Sequence, residues 1–322
     1  MDFALEERQQ AVAGLAAEVL TAEDPWKELA RAGLLDVSPP DGLGVLEVTV
    51  LLTEIGKRAP SMQALATLMT GALPLARWGS PDLRADLLRG VASGELLLTA
   101  ALQEPPARPA TVLTEGTITG LKTGVPYAGQ SHLLLIPVRL APSDGVALVR
   151  PDRPGVELIR TPSSSGEPEY AVRLDQAPVE GMLGGADCVR DLHQLAIAGA
   201  CALADGAVAG ALALTRDHVA SREQFGRPLA AFQAVSQQIA DVYIASRTMH
   251  LAALAACWRL GEGLDAAADL EVAGYWCAEQ APRTVRLCHH LHGGIGMDAT
   301  YPLHRFSSLI ADLTRFLPCS ST

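Results

Sequence analysis

The chain has 322 residues, enough for two or three domains at roughly 100–200 residues each. With 49% hydrophobic and 19% charged residues it can bury a sizeable core, which excludes wholesale disorder. Its 25 basic and 36 acidic residues give a net charge of −11, so the basic footprint that nucleic acid or an anionic membrane surface requires is missing.

Residues 1–93 read as a helical domain. Residues 3–20 carry apolar side chains at helical spacing among Glu6, Glu7, Arg8, Gln9 and Gln10. The opening MDFALEERQQ is charged and has no apolar run, so no secretory signal is expected and the chain is expected in the cytoplasm. Pro25 and Trp26 open a short helix that ends near Gly33, and residues 38–42 (SPPDG) form a loop. Residues 43–55 and 62–75 are mostly apolar and should be buried helices. At Gly79-Ser80-Pro81-Asp82 the next helix starts, with Ser80 as N-cap and Pro81 at its first position.

Residues 94–184 change character. Short runs rich in Val, Ile, Leu and Thr (LLLTAAL, GTITGLKTGV, HLLLIPVRL, VALVR, VELIR, YAVRL) alternate with turns such as Pro142-Ser143-Asp144-Gly145. They predict an antiparallel β-domain. Residues 185–322 return to longer helices, over 186–222, 229–260, 266–291 and 303–316, the count of a four-helix bundle. The order α, β, α without βαβ alternation gives an α+β fold and disfavours a doubly wound nucleotide fold. Only 4% of residues are aromatic, so Ala, Leu, Val and Gly must do most of the packing. Residues 195–214 are long enough to suggest a membrane span, but Asp205 in the middle and the Ala/Gly content predict a buried helix with close neighbours. Cys188, Cys201, Cys257, Cys277, Cys288 and Cys319 form no C-x-x-C pair and read as buried reduced thiols.

Two segments carry most of the chemical information. In residues 221–233 (SREQFGRPLAAFQ) a long helix is expected to end at Gly226, with Pro228 forcing a break before the next one. Arg and Gln at such a helix end can reach an anion, or simply face solvent. In residues 288–297 (CHHLHGGIGM), Gly293 and Gly294 permit a left-handed helix stop and close backbone approach. It is no dinucleotide fingerprint, because a helix precedes it and the third glycine is misplaced. His289 and His292 lack further ligands at metal spacing, so no metal is expected. Nucleophile-elbow, Walker and H-E-x-x-H motifs are absent from the sequence.

Four local matches give the chain a resemblance to the acyl-CoA dehydrogenase family over nearly its whole length. Gly79-Ser80 followed by LRADLLRGVASGELLLTAALQEP resembles the family's helix, first strand and Thr-Glu-Pro motif. Residues 120–125 (GLKTGV) resemble its flavin-facing strand. Arg222-Glu223-Gln224-Phe225-Gly226 with Phe232-Gln233 resembles its Arg-x-x-Phe-Gly signature. His290-Leu291-His292-Gly293-Gly294-Ile295-Gly296 with Tyr301-Pro302 resembles its C-terminal Gly-Gly motif.

The resemblance implies FAD shared between subunits and an acyl-CoA substrate. One subunit surrounds the flavin ring and supplies a catalytic glutamate. Its mate holds the ADP part through residues matched here by Arg222, Phe225, Gln233, His290, Gly293 and Gly294. A guanidinium fork and glycine amides do suit a pyrophosphate.

The departures fall on the other half. Thr-Glu-Pro is Gln103-Glu104-Pro105, followed by Pro106-Ala107-Arg108-Pro109, whose prolines remove amide donors. Gly124-Val125-Pro126 stands where the family has a stacking Trp and a hydroxyl. The two positions that carry the family's base fall near Leu317 and Ala196, and Asp191 and Asp205 lie more than a turn from the latter. Loss of a base costs about 10²–10⁴-fold in rate, so no catalytic residue is assigned to this chain. The expectation is the smaller subunit of an α2β2 acyl-CoA dehydrogenase of the bacterial steroid side-chain type, paired with a homologous subunit that supplies the base. The chain is short for a complete enzyme of this kind. The alternatives are a structural or regulatory subunit without flavin, and a homo-oligomeric dehydrogenase with a relocated base such as Asp191.

Overall fold

The computed structural model describes residues 3–58, 61–106 and 110–317, so Ala107, Arg108, Pro109 and Cys319 lie outside it. Its order is α, β, α, as the sequence predicts. Helices α1 (Glu7–Val19), α2 (Pro25–Arg31) and α3 (Val45–Gly56) come first. A π-helical stretch (Leu65–Ala72) then runs into α4 (Leu73–Trp78), and α5 (Pro81–Ala92) follows. The Ser80 hydroxyl accepts the Leu83 amide, as an N-cap before Pro81 should.

Eight strands form two four-stranded sheets. Strands β1 (Leu98–Ala100), β2 (Val112–Thr114), β3 (Thr117–Pro126) and β4 (Leu133–Val138) are followed by β5 (Gly145–Val149), β6 (Val156–Thr161), β7 (Glu169–Pro178) and β8 (Gly181–Gly184). The sheet orders are β1-β4-β5-β8 and β2-β3-β7-β6. One pair departs from the antiparallel expectation: β1 and β4 run parallel. The chain leaves β1, builds β2 and β3 in the other sheet, and returns beside β1 in the same direction.

Strand β4 shows why its sequence is apolar on both faces. Leu133 and Leu135 join the core of the helices, whereas Leu134, Ile136 and Val138 join a second core between the sheets. A strand buried on both sides reads as a continuous apolar run rather than an alternation.

Helix α6 (Ala186–Ser221) is the axis of the molecule, 36 residues or about 54 Å long. By length and composition it could cross a membrane, yet 83% of its most apolar window is buried inside the fold. Buried Asp205 within it bonds His250 Nδ1 at 2.8 Å, so that carboxylate has a polar partner. A two-residue-strand hairpin follows, β9 (Glu223–Gln224) and β10 (Arg227–Pro228), then a 3₁₀ turn (Leu229–Ala231). Helices α7 (Gln233–Gly261) and α8 (Ala267–Tyr275) come next, and α8 passes through a π-helical turn (Trp276–Gln280) into α9 (Ala281–His292). A 3₁₀ segment (Gly293–Met297) leads to α10 (Leu303–Phe316).

The small residues of α6 act as the sequence suggests. At the α3–α6 crossing, a Cβ on Gly206 would collide with the Thr53 carbonyl oxygen, and one on Gly56 with that of Leu203. Backbone lies against backbone there and cannot yield. Gly206→Ala is expected to cost about 1–3 kcal/mol through overpacking, read from denaturant unfolding. The control is Gly14→Ala in α1, where nothing lies within 4 Å of the new Cβ. It should instead gain up to about 1 kcal/mol of helix propensity.

Candidate functional site

The ends of α6, α7 and α9 meet at one end of the bundle. His218, near the end of α6, stacks on His292, the last residue of α9, with ring centroids 4.4 Å apart. His292 Nε2 lies 3.0 Å from the Tyr301 hydroxyl. Burial lowers the pKa of both imidazoles; the Arg222 charge lowers that of His218 further. Uncharged rings stack without repulsion, and the stack joins the end of α6, from which Arg222 follows, to the end of α9, which Gly293 and Gly294 follow. Gly293 ends α9 at φ +60°, the left-handed stop its type permits.

The segment after α6 differs from the helix expected through Gly226. Arg222 turns extended, at φ −75° and ψ 120°, and its carbonyl accepts the Leu229 amide at 2.8 Å. Phe225 and Gly226 form the tip, with φ of +54° and +77°. Positive φ at both central residues is the type I′ hairpin turn, which suits Asn-Gly and strains a phenylalanine. Phe225 is nevertheless 91% exposed. Its ring meets that of Phe232 edge-on at 6.2 Å, and the Arg227 guanidinium lies 4.0 Å over Phe232.

The side chains of Arg222, Gln233 and His290 are exposed and, among the described residues, make no hydrogen bond or ion pair. Gln233 is the first residue of the 29-residue α7, whose first-turn amides face outward at its N-terminus. Arg222, Arg227 and the α7 N-terminus bring positive charge to this segment, beside the acidic Glu223 and Asp217. Such an arrangement fits a diphosphate.

The β-domain cleft is the opposite case. It is lined by Gln103, Thr123, Gly124, Pro126, Glu167 and Arg315, among others, and encloses about 190 Å³. Ligand pockets usually offer about 300–1,000 Å³. Its polar groups already bond one another. Gln103 Nε2 donates to the carbonyls of Arg315 at 2.6 Å and Phe316 at 2.7 Å. Asp312 accepts the amides of Ser164 and Ser165, and Glu167 accepts that of Met62 at 2.8 Å. Burial raises the Glu167 carboxyl above the usual range, against the pull of the Met62 amide. Gly124 sits at φ +62° in an irregular stretch of β3, where its pairing with β7 shifts between Lys122 and Val125. A tryptophan there would be strained by that φ.

Beneath the cleft, Lys122 is 1% exposed and its ammonium lies 2.6 Å from Glu104 Oε1. The same oxygen accepts the Thr111 amide at 2.9 Å. Burial lowers the Lys122 pKa, with Glu104 pulling it back up.

Among the other sequence candidates, Ala196 and Leu317 are buried and apolar. Asp191 bonds Arg77 and the Trp78 indole, and does not line the cleft. His289 bonds the Gly296 carbonyl and the Ser307 hydroxyl. Among the described residues no group of His, Cys, Asp and Glu could hold a metal. The carboxylates of the cleft, Glu167, Glu169 and Asp312, and the bonds from Gln103 to the end of α10 carry no local sequence signal.

Residues 1–95 match the family model "Acyl-CoA dehydrogenase, N-terminal domain" and residues 192–311 match "Acyl-CoA dehydrogenase, C-terminal domain". The chain is 46% identical to the acyl-CoA dehydrogenase FadE28 of Mycobacterium tuberculosis, over 98% of this chain and 95% of that protein. Among solved structures, it resembles a chain of the ChsE4-ChsE5 complex from M. tuberculosis with a TM-score of 0.91 and 30% identity, covering 98% of this chain and 94% of that one. A Tcur3481-Tcur3483 steroid ACAD variant matches with a TM-score of 0.90 and 32% identity, over 98% and 95%.

Proposed function

The chain belongs to the acyl-CoA dehydrogenase family, and from that premise we propose that it is one subunit of a heteromeric, FAD-dependent acyl-CoA dehydrogenase. In this reading it holds the ADP part of a flavin whose ring lies in a homologous partner subunit, and the partner supplies the glutamate that takes the substrate's α-proton. FAD, when bound, accepts the hydride that leaves the β-carbon of the acyl thioester.

The observation that carries the proposal is the contrast between the two ends of the fold. At the bundle end, Arg222, Gln233 and His290 have no partners among the described residues and lie beside a helix N-terminus. In the cleft, the corresponding ring-facing groups are bonded to one another and the space is small. Arg222 binds pyrophosphate oxygens through its fork, Gly293 and Gly294 let the backbone come close, and Gln233 adds a neutral donor and acceptor. Phe225 offers an apolar face to the same ligand or to the partner.

Two of the most similar solved structures are named as two-component assemblies, one of them a steroid ACAD. That supports an α2β2-type complex and a bulky thioester, such as a steroid side-chain CoA, as substrate. The test is an absorbance spectrum and an acyl-CoA dehydrogenation assay on the chain alone and co-expressed with its partner subunit. Flavin bands and turnover only in the mixed complex are expected. Stoichiometric flavin and turnover in the lone chain would overturn the reading, and a complex that never contains flavin would favour a structural subunit.

A further inference from the structure

The Gln103 side chain bridges two parts of the chain that are 212 residues apart in sequence. Its backbone lies beside β3, where the Thr123 amide donates to the Gln103 carbonyl at 3.0 Å. Its carboxamide reaches the other way, to the C-terminal end of α10. The last four carbonyls of any helix lack partners within it. In α10, a side chain from the β-domain caps two of these, those of Arg315 and Phe316.

Around this contact the other bonds point inward as well. Asp312, 3% exposed on α10, holds the amides of Ser164 and Ser165 at 2.7 and 2.9 Å and the Ser165 hydroxyl. Arg315 bonds Asp312 at 2.6 Å and Glu169 at 3.2 Å. The helix end is therefore fastened to β3 through Gln103 and to the 163–169 segment through Asp312 and Arg315.

We propose that Gln103 and the C-terminal end of α10 form a latch that closes this chain's own β-domain cleft and keeps a flavin ring out of it. This rests on the reading of the cleft as the counterpart of the partner's ring site. A ring entering beside Gln103 would break its bonds to the Arg315 and Phe316 carbonyls and cover them without a donor, which is costly.

The test uses the assembled complex. Flavin counted against protein should give one per pair of unlike chains. Hydrogen exchange at the amides of residues 313–317 should accelerate ten-fold or more in Gln103→Glu, where a carboxylate faces the α10 carbonyls. Gln103→Lys, whose ammonium can donate to a helix C-terminus, should restore protection; a contact that acts by packing alone would not be rescued. If Gln103→Glu fails to assemble, Gln103→Ala removes the donor without adding charge. Two flavins per pair in the unmodified complex, or unchanged exchange in the donor-free variants, would overturn the latch. Neither result bears on Arg222, whose loss of effect would instead count against the shared-flavin reading.

Discussion

Replacing Arg222 with alanine is expected to weaken FAD binding to the assembled complex about 10- to 100-fold, since hydrogen bonds to charged groups are worth about 1.5–3 kcal/mol. The residue suits such a test because its guanidinium is exposed and makes no hydrogen bond or ion pair among the described residues. Thermal unfolding of the flavin-free complex should therefore be unaltered, which separates lost binding from lost structure. Arg222→Lys should fall between the two, because an ammonium keeps the charge and loses the planar fork. The measurement is a flavin fluorescence titration of the stripped complex. The defect should shrink as salt rises, because an exposed charge is screened over about 8–10 Å at 0.1–0.15 M. Unchanged affinity in Arg222→Ala would remove the assigned role.

The largest effect on stability is expected at Glu104. Glu104→Ala leaves the Lys122 ammonium, 1% exposed, without its counter-charge. Breaking a buried pair by removing one partner costs about 3–5 kcal/mol, and the partial exposure of Glu104 puts this pair at or below the lower end of that range. The double variant Glu104→Gln, Lys122→Met should recover most of that loss, because it removes the stranded charge. Chemical denaturation of the unmodified protein and both variants checks these statements. The pair also sets an acid limit. Burial tends to raise the Glu104 carboxyl, but the Lys122 ammonium and the Thr111 amide outweigh it and hold the pKa below the ordinary value. A carboxylate depressed in the folded state stabilises the fold fully above its unfolded pKa of about 4.3. That contribution is lost as pH falls through the folded value. Unmodified protein should thus lose stability more steeply below about pH 4.3 than the double variant.

The two predictions fall on different levels of legibility. Arg222 stands in a contiguous motif, and so do Phe225, Gln233, His290, Gly293 and Gly294; their proposed role comes from the resemblance of those motifs to the family's, since spacing alone also fits an ordinary turn with a solvated arginine. The turn that presents Arg222 is not legible along the chain. Phe225-Gly226 gives no hairpin signal of the Asn-Gly kind, and the preceding helical pattern predicts a helix through it. Only the pairing of Gln224 with Arg227 shows where α6 stops.

The sequence by itself determined the α, β, α order, the Ser80 cap and the close-packed character of α6. These are local properties: periodicity, turn chemistry and residue size act within a few neighbours along the chain. Only the tertiary structure decided that β1 and β4 run parallel and that the side chains of Arg222, Gln233 and His290 are exposed and, among the described residues, unpaired. It also decided that Gln103 caps a helix end 212 residues away. Such contacts depend on which distant carbonyl happens to lack a partner, and that is set by packing of whole elements rather than by any pattern within them.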